Sequence, residues 1–226
     1  MQAARLSEDG RLIVNEVPIP QPGPGWARLQ ILQAGICNTD LELRRGYKGG
    51  FSGTLGHEFV ARVHAVNPSP EAVPHVAVGQ RVVAEINCVP GGCGCRGYHE
   101  RAQHPARSAL GIFGADGGFA EYLIVPIENI HLVPESLTDD QAMFAEPLAA
   151  ACQITQQVHV RASQKCAVLG TGKLGVLISQ VLAHAGCAVT AAGRREVNFE
   201  FLQARGITTA LAPALLAQKD EPASDL

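Results

Sequence analysis

Residues 165–175 read Lys165-Cys166-Ala167-Val168-Leu169-Gly170-Thr171-Gly172-Lys173-Leu174-Gly175. A short apolar run meets glycines at the first, third and sixth positions of a turn. An apolar helical pattern follows and reaches Gly186. A buried strand, a tight turn and a helix fit that order. Gly170 permits the turn, Gly172 lets backbone approach a pyrophosphate, and Gly175 lets helix and strand pack closely. The N-terminus of the helix opened by Lys173 and Leu174 then faces phosphate charge. Onward from the turn, residues 188–192 read as a second strand, 199–205 as a helix stopped by Gly206, and 207–211 as a third strand. Strand–helix–strand–helix–strand is half of a doubly wound parallel sheet.

Backward from the turn the pattern changes. Thr138-Asp-Asp-Gln141 begins with a capping residue and runs into helical periodicity. Before it, short apolar runs at 11–17, 27–34, 59–66, 80–86 and 120–125 alternate with turn material such as Pro20-Gln-Pro-Gly-Pro-Gly25 and Gly91-Gly-Cys-Gly94. That spacing predicts a barrel or sandwich of short strands. One helix is expected over 39–45, capped by Asn38 or Thr39. The expected domains are residues 1–140, β-rich, and 141–226, α/β.

The chain has 226 residues, 46% hydrophobic and 17% charged, with net charge -3. This is a globular composition with material for a sizeable core. The 18 Lys and Arg are scattered, so no nucleic-acid surface is expected. No apolar run is long enough for a membrane span, and the first residues lack a signal-peptide core. A cytoplasmic setting follows, with the seven cysteines read as thiols and metal ligands rather than a disulfide framework.

Cys37 stands in Gly35-Ile-Cys-Asn-Thr-Asp40, His57 and Glu58 in Leu-Gly-His-Glu, and Glu146 in Ala-Glu-Pro-Leu. Alone, Cys37 fits a small buried apolar residue and His57-Glu58 a surface pair. Together a thiolate, an imidazole and a carboxylate suit a catalytic zinc, with Glu58 or Glu146 completing the shell and one position left open. Cys37 and His57 are too far apart in sequence for a local clip, so only folding can join them. Asp40 suits the far nitrogen of His57, and Thr39 suits passage of a proton.

These segments resemble the zinc-containing medium-chain dehydrogenase/reductase superfamily, nearest its polyol and threonine dehydrogenase branch. Val78-Gly-Gln-Arg-Val82 and Gly118-Phe-Ala-Glu-Tyr122 add to the likeness, while Ala61 stands where the family has glycine. The resemblance implies a GroES-like β-barrel catalytic domain followed by a partial Rossmann sheet. It implies zinc held by Cys37, His57 and Glu146, with Glu58 as ligand or close neighbour. Thr39 is implied as relay and Asp40 as support for His57. The implied reaction is hydride transfer between an alcohol or polyol substrate, or its carbonyl, and NAD(P).

The family's cysteine lobe has a counterpart in Cys88, Cys93, Cys95 and His104, at irregular spacing. Two readings stay open, a structural zinc or a lobe without metal. At the end of the second strand, Gly193 stands where an NAD enzyme carries an acidic residue, and Arg194 and Arg195 follow. Arginine would pair with a 2′-phosphate, so NADP is expected, with NAD the alternative. The resemblance also implies roughly a hundred further residues, and a homo-oligomer only for that longer form. The alternative to an enzyme is thus a truncated, inactive zinc-binding fragment or pseudoenzyme.

Overall fold

The computed structural model describes residues 1–47, 51–70, 75–90, 95 and 97–213. The chain divides into two compact units, Met1–Glu146 and Pro147–Leu226.

The first unit is made of short strands: β1 (Gln2–Leu6), β2 (Leu12–Glu16), β3 (Trp26–Gly35), β4 (Gly53–Thr54), β5 (Glu58–Asn67), β6 (Arg81–Ala84), β7 (Asn87–Cys88), β8 (Ser108–Leu110), β9 (Gly114–Ala115), β10 (Tyr122–Pro126) and β11 (Ile130–Leu132). Its helices are α1 (Asn38–Arg44), α2 (Tyr98–Gln103) and α3 (Asp139–Ala142). The main sheet runs β10-β3-β5-β6-β11, flanked by the smaller sheets β2-β1-β4 and β7-β8-β9. The five runs read from sequence become β2, β3, β5, β6 and β10. The strands of two or three residues are too short to show a period, so they were missed, as was the five-residue β1.

Alternation explains the core. Ala27 and Leu29 on β3, and Phe59, Ala61 and Val63 on β5, turn inward to meet Val82, Leu123, Val125 and Ile130. The β3–β5 pair carries register shifts at Arg28/Leu29 and Ile31/Gln33, and ends with Gly35 opposite Glu58. A β-bulge of this kind re-aims the strand end. The antiparallel pairing puts the residues after Gly35 beside those before Glu58, and so joins two segments far apart in sequence.

The second unit holds β12 (Lys165–Leu169), β13 (Ala188–Gly193) and β14 (Thr208–Leu211), parallel and in the order β12-β13-β14. Helices α4 (Ala145–Cys152) and α5 (Ile154–Gln157) precede them, and α6 (Lys173–His184) and α7 (Phe199–Gln203) connect them. Cys166, Val168, Val189, Ala191, Leu202 and Ile207 form the core of this unit with Leu182 from α6.

One expectation is met and one corrected here. Thr138 caps a helix as read, its hydroxyl accepting from Gln141 N at 3.3 Å, and the helical pattern beyond it divides into three short helices. And β12 is buried on one face only. Leu169 is 68% exposed, because among the described residues nothing covers the other face of this edge strand.

Candidate metal centre

Three side chains offering a metal ligand lie together: Cys37, His57 and Glu58, with ligand atoms all within 4.8 Å of one another. Cys37 caps α1, and the expected caps Asn38 and Thr39 lie inside the helix. Asp40 Oδ2 reaches back to accept from Cys37 N at 2.8 Å, so one carboxylate oxygen fixes the turn that presents the thiol. The Cys37 thiol donates to Thr39 Oγ1 at 3.6 Å.

His57 is placed by the glycine before it. Gly56 has φ +95, a left-handed conformation that L side chains rarely adopt, and a Cβ there would overlap the Phe119 ring. Its carbonyl accepts from Gly118 N at 2.7 Å, which pins the loop to the segment entering β10. Glu58 then opens β5 opposite Gly35. A Cβ at Gly35 would lie 2.8 Å from Glu58 Oε2, so a larger residue there would push the carboxylate aside. Sequence reading quoted Gly35 in a motif and missed this role. The only available signal was a glycine at a strand end.

The electrostatics of the site are unbalanced. His57 is 3% exposed and Asp40 4%, and His57 Nδ1 faces Asp40 Oδ1 at 3.5 Å. The separation is long for a hydrogen bond, and neither atom has a hydrogen-bond partner among the described residues. Burial lowers the pKa of His57, but Asp40, Cys37 and Glu146 outweigh it and raise the value to about 10. Cys37 is lowered chiefly by its contact with His57, against the opposing effect of burial. Glu146 is raised, first by burial and then by Glu58 and Asp40, with His57 opposing. Three carboxylates and a thiol thus crowd one buried imidazole. A buried excess of negative charge with unpartnered polar atoms is what a divalent cation relieves. The donor set of sulfur, nitrogen and oxygen suits zinc.

The cysteine lobe is different. Cys93 lies outside the described residues. Cys88 is a core residue, 3% exposed, whose thiol donates to Ile86 O at 3.8 Å and accepts from Asn129 Nδ2 at 3.7 Å. Burial, then Glu128 and Glu85, push that thiol up to about 12. His104 Nδ1 accepts from Ala106 N at 3.1 Å. Among the described residues, Cys88, Cys95 and His104 do not gather into a three-ligand group. The lobe is braced by the ion pair Arg101–Glu85 at 2.7 Å, with side chains only 13% and 17% exposed.

In the second unit the glycine turn joins β12 to α6. Gly170 N donates to Ala192 O at 2.7 Å, and Gly172 is the N-cap of α6. Lys173 and Leu174 open the helix with exposed side chains, and Gly193 ends β13 ahead of the exposed Arg194 and Arg195.

The alcohol dehydrogenase GroES-like domain family matches residues 23–135. The chain is 32% identical over 182 residues to the L-threonine 3-dehydrogenase of Stenotrophomonas maltophilia, covering 76% of this chain and 51% of the relative. Among solved structures, a Sinorhizobium meliloti protein named among zinc-binding dehydrogenases and bound to NADP aligns with TM-score 0.82 at 31% identity, over 95% of this chain and 62% of that one. An Escherichia coli alcohol dehydrogenase (RspB) complexed with NADH aligns with TM-score 0.83 at 28% identity, over 97% and 63%. The chain spans about half the length of the curated relatives it matches.

Proposed function

The chain belongs to the alcohol dehydrogenase GroES-like domain family, within the zinc-containing medium-chain dehydrogenases, and from that membership we propose that it serves hydride transfer between an alcohol or polyol and NADP or NAD. The observation that carries the reading is the Cys37–His57–Glu58 group in its excess of negative charge. Zinc, when bound, supplies a Lewis acid that polarises a substrate oxygen and lowers the pKa of an alcohol.

The chain's own residues do the rest. Cys37, His57 and a carboxylate of Glu58 or Glu146 hold the metal. Asp40 faces Nδ1 of His57 with its charge and shapes the turn that presents Cys37. Thr39 Oγ1, beside the Cys37 thiol, is the hydroxyl placed to hand a proton outward. The turn from Gly170 to Gly175 and the N-terminus of α6 receive the pyrophosphate. Arg194 and Arg195 favour the 2′-phosphate of NADP, with NAD the second choice. The threonine dehydrogenase relatives add a hydroxy amino acid to the substrate classes to be tried.

A cytoplasmic setting belongs to the same proposal. It is supported by six free cysteines among the described residues, and among these residues no helix is long and apolar enough to cross a membrane. The same proposal includes a homo-oligomer for the longer form only.

Metal analysis tests the reading. The chain expressed with added zinc should retain zinc that Cys37→Ser and His57→Ala each remove, and it should bind NADPH. A chain that takes up no zinc, or whose zinc survives both substitutions, contradicts the proposal.

A further inference from the structure

Asn198 stands at the N-cap of α7 with φ +69, in the left-handed region that asparagine tolerates better than most residues. Asparagine at this place ordinarily turns its side chain to the free N–H groups of its own helix. Here it makes no such bond. Its Nδ2 donates instead to Thr171 O at 2.9 Å, across to the glycine turn. Thr171 is itself 8% exposed. Its side chain fills the space over Gly193, where a Cβ would overlap Thr171 Oγ1 and lie 2.8 Å from Arg195 O. Gly170 N on Ala192 O, at 2.7 Å, makes a third link. The turn after β12 is therefore joined to the end of β13 at Ala192 and Gly193, and through Asn198 to the loop after β13, which carries Arg194 and Arg195, all within one unit.

We propose that Asn198 is a positioning residue for the dinucleotide: its amide ties the arginine-bearing loop to the phosphate turn, and so sets the site's preference for a 2′-phosphorylated adenosine. The inference rests on the dinucleotide reading of this turn. Arg194 and Arg195 are exposed on a connecting loop. Long side chains on a free loop lose rotamer and backbone freedom when they pair with an anion, and that loss weakens binding. The Asn198 bond orders the loop in advance, at a fixed distance from the turn. The interlock of Thr171 with Gly193 acts in the same direction. It leaves no room for the acidic side chain that would accept the ribose hydroxyls of NAD.

The test is calorimetric binding of NADPH and NADH, which differ only in the 2′-phosphate, to the full chain and two variants. Asn198→Gly keeps the left-handed backbone and removes the amide. Asn198→Ala removes the amide and adds backbone strain. The amide bond is worth about tenfold in binding. Both variants should therefore lose about tenfold for NADPH and less than twofold for NADH. Equal losses for the two nucleotides, or an Asn198→Gly variant that binds like the unmodified chain, would overturn the inference. An unmodified chain that binds neither nucleotide overturns the dinucleotide reading beneath it.

Discussion

Asp40 shows how much one buried side chain decides. One oxygen closes the first turn of α1 on Cys37 N, and the other faces His57. The kinds of residue in this site were readable in the sequence, because thiol, imidazole and carboxylate are chemistry that a letter code carries. Gly35 was not readable as part of it, since its role is the absence of a Cβ beside Glu58. Cys88 is a residue whose burial, 3% exposed, no letter code carries. Glu146 offers a test at this scale. Its folded pKa is raised above 4.5, so the stability it permits is full below that value and is lost as pH rises through the raised one. In the metal-free chain, Glu146→Gln should raise the melting temperature at pH 7 by on the order of 2 °C, with no gain near pH 4. Adding zinc should stabilise the unmodified chain more than the variant. A variant less stable than the parent at pH 7 without metal would refute the burial argument.

At the scale of elements, the strand–turn–helix from Lys165 was legible to within a residue or two: β12 as read, and α6 ending at His184 with Gly186 at φ +89 just beyond. Period and glycine spacing are local signals. The helical pattern from Thr138 and its cap were legible, but the breaks that divide it into α3, α4 and α5 were not, because continued helical periodicity hides breaks that packing imposes. The turn predicts its own fragility. A Cβ at Gly175 would overlap the Gly170 carbonyl oxygen, so α6 can start this close to β12 only with glycine there. Gly175→Ala should destabilise the second unit by about 2 kcal/mol and weaken NADPH binding, while zinc content stays unchanged. Denaturant melts and metal analysis on the same sample check both halves, and loss of zinc along with the nucleotide would contradict the independence of the two.

At the scale of the whole molecule, each unit has its own core, one built on β3 and β5 and the other on β12 and β13. Among the described residues the second leaves β12 at an edge with Leu169 68% exposed, an apolar margin of the kind that pairs with other chains. The 226-residue chain should therefore self-associate at micromolar concentration, and Leu169→Lys should shift it toward monomer in sedimentation velocity. A monomeric parent chain, or a variant that associates equally, would remove the edge as the cause. The order of the α/β half, the β-rich character of the rest and the residue types of the candidate metal centre follow from local pattern, because period, glycine spacing and side-chain chemistry are properties of neighbours in sequence. What brings Cys37 to His57 is the pairing of Gly35 with Glu58 at the end of a bulged ladder. What lends Asn198 to the phosphate turn is a hydrogen bond across 27 positions. Contacts between distant segments arise only when strand registers and loop conformations are set together, and tertiary packing alone sets them.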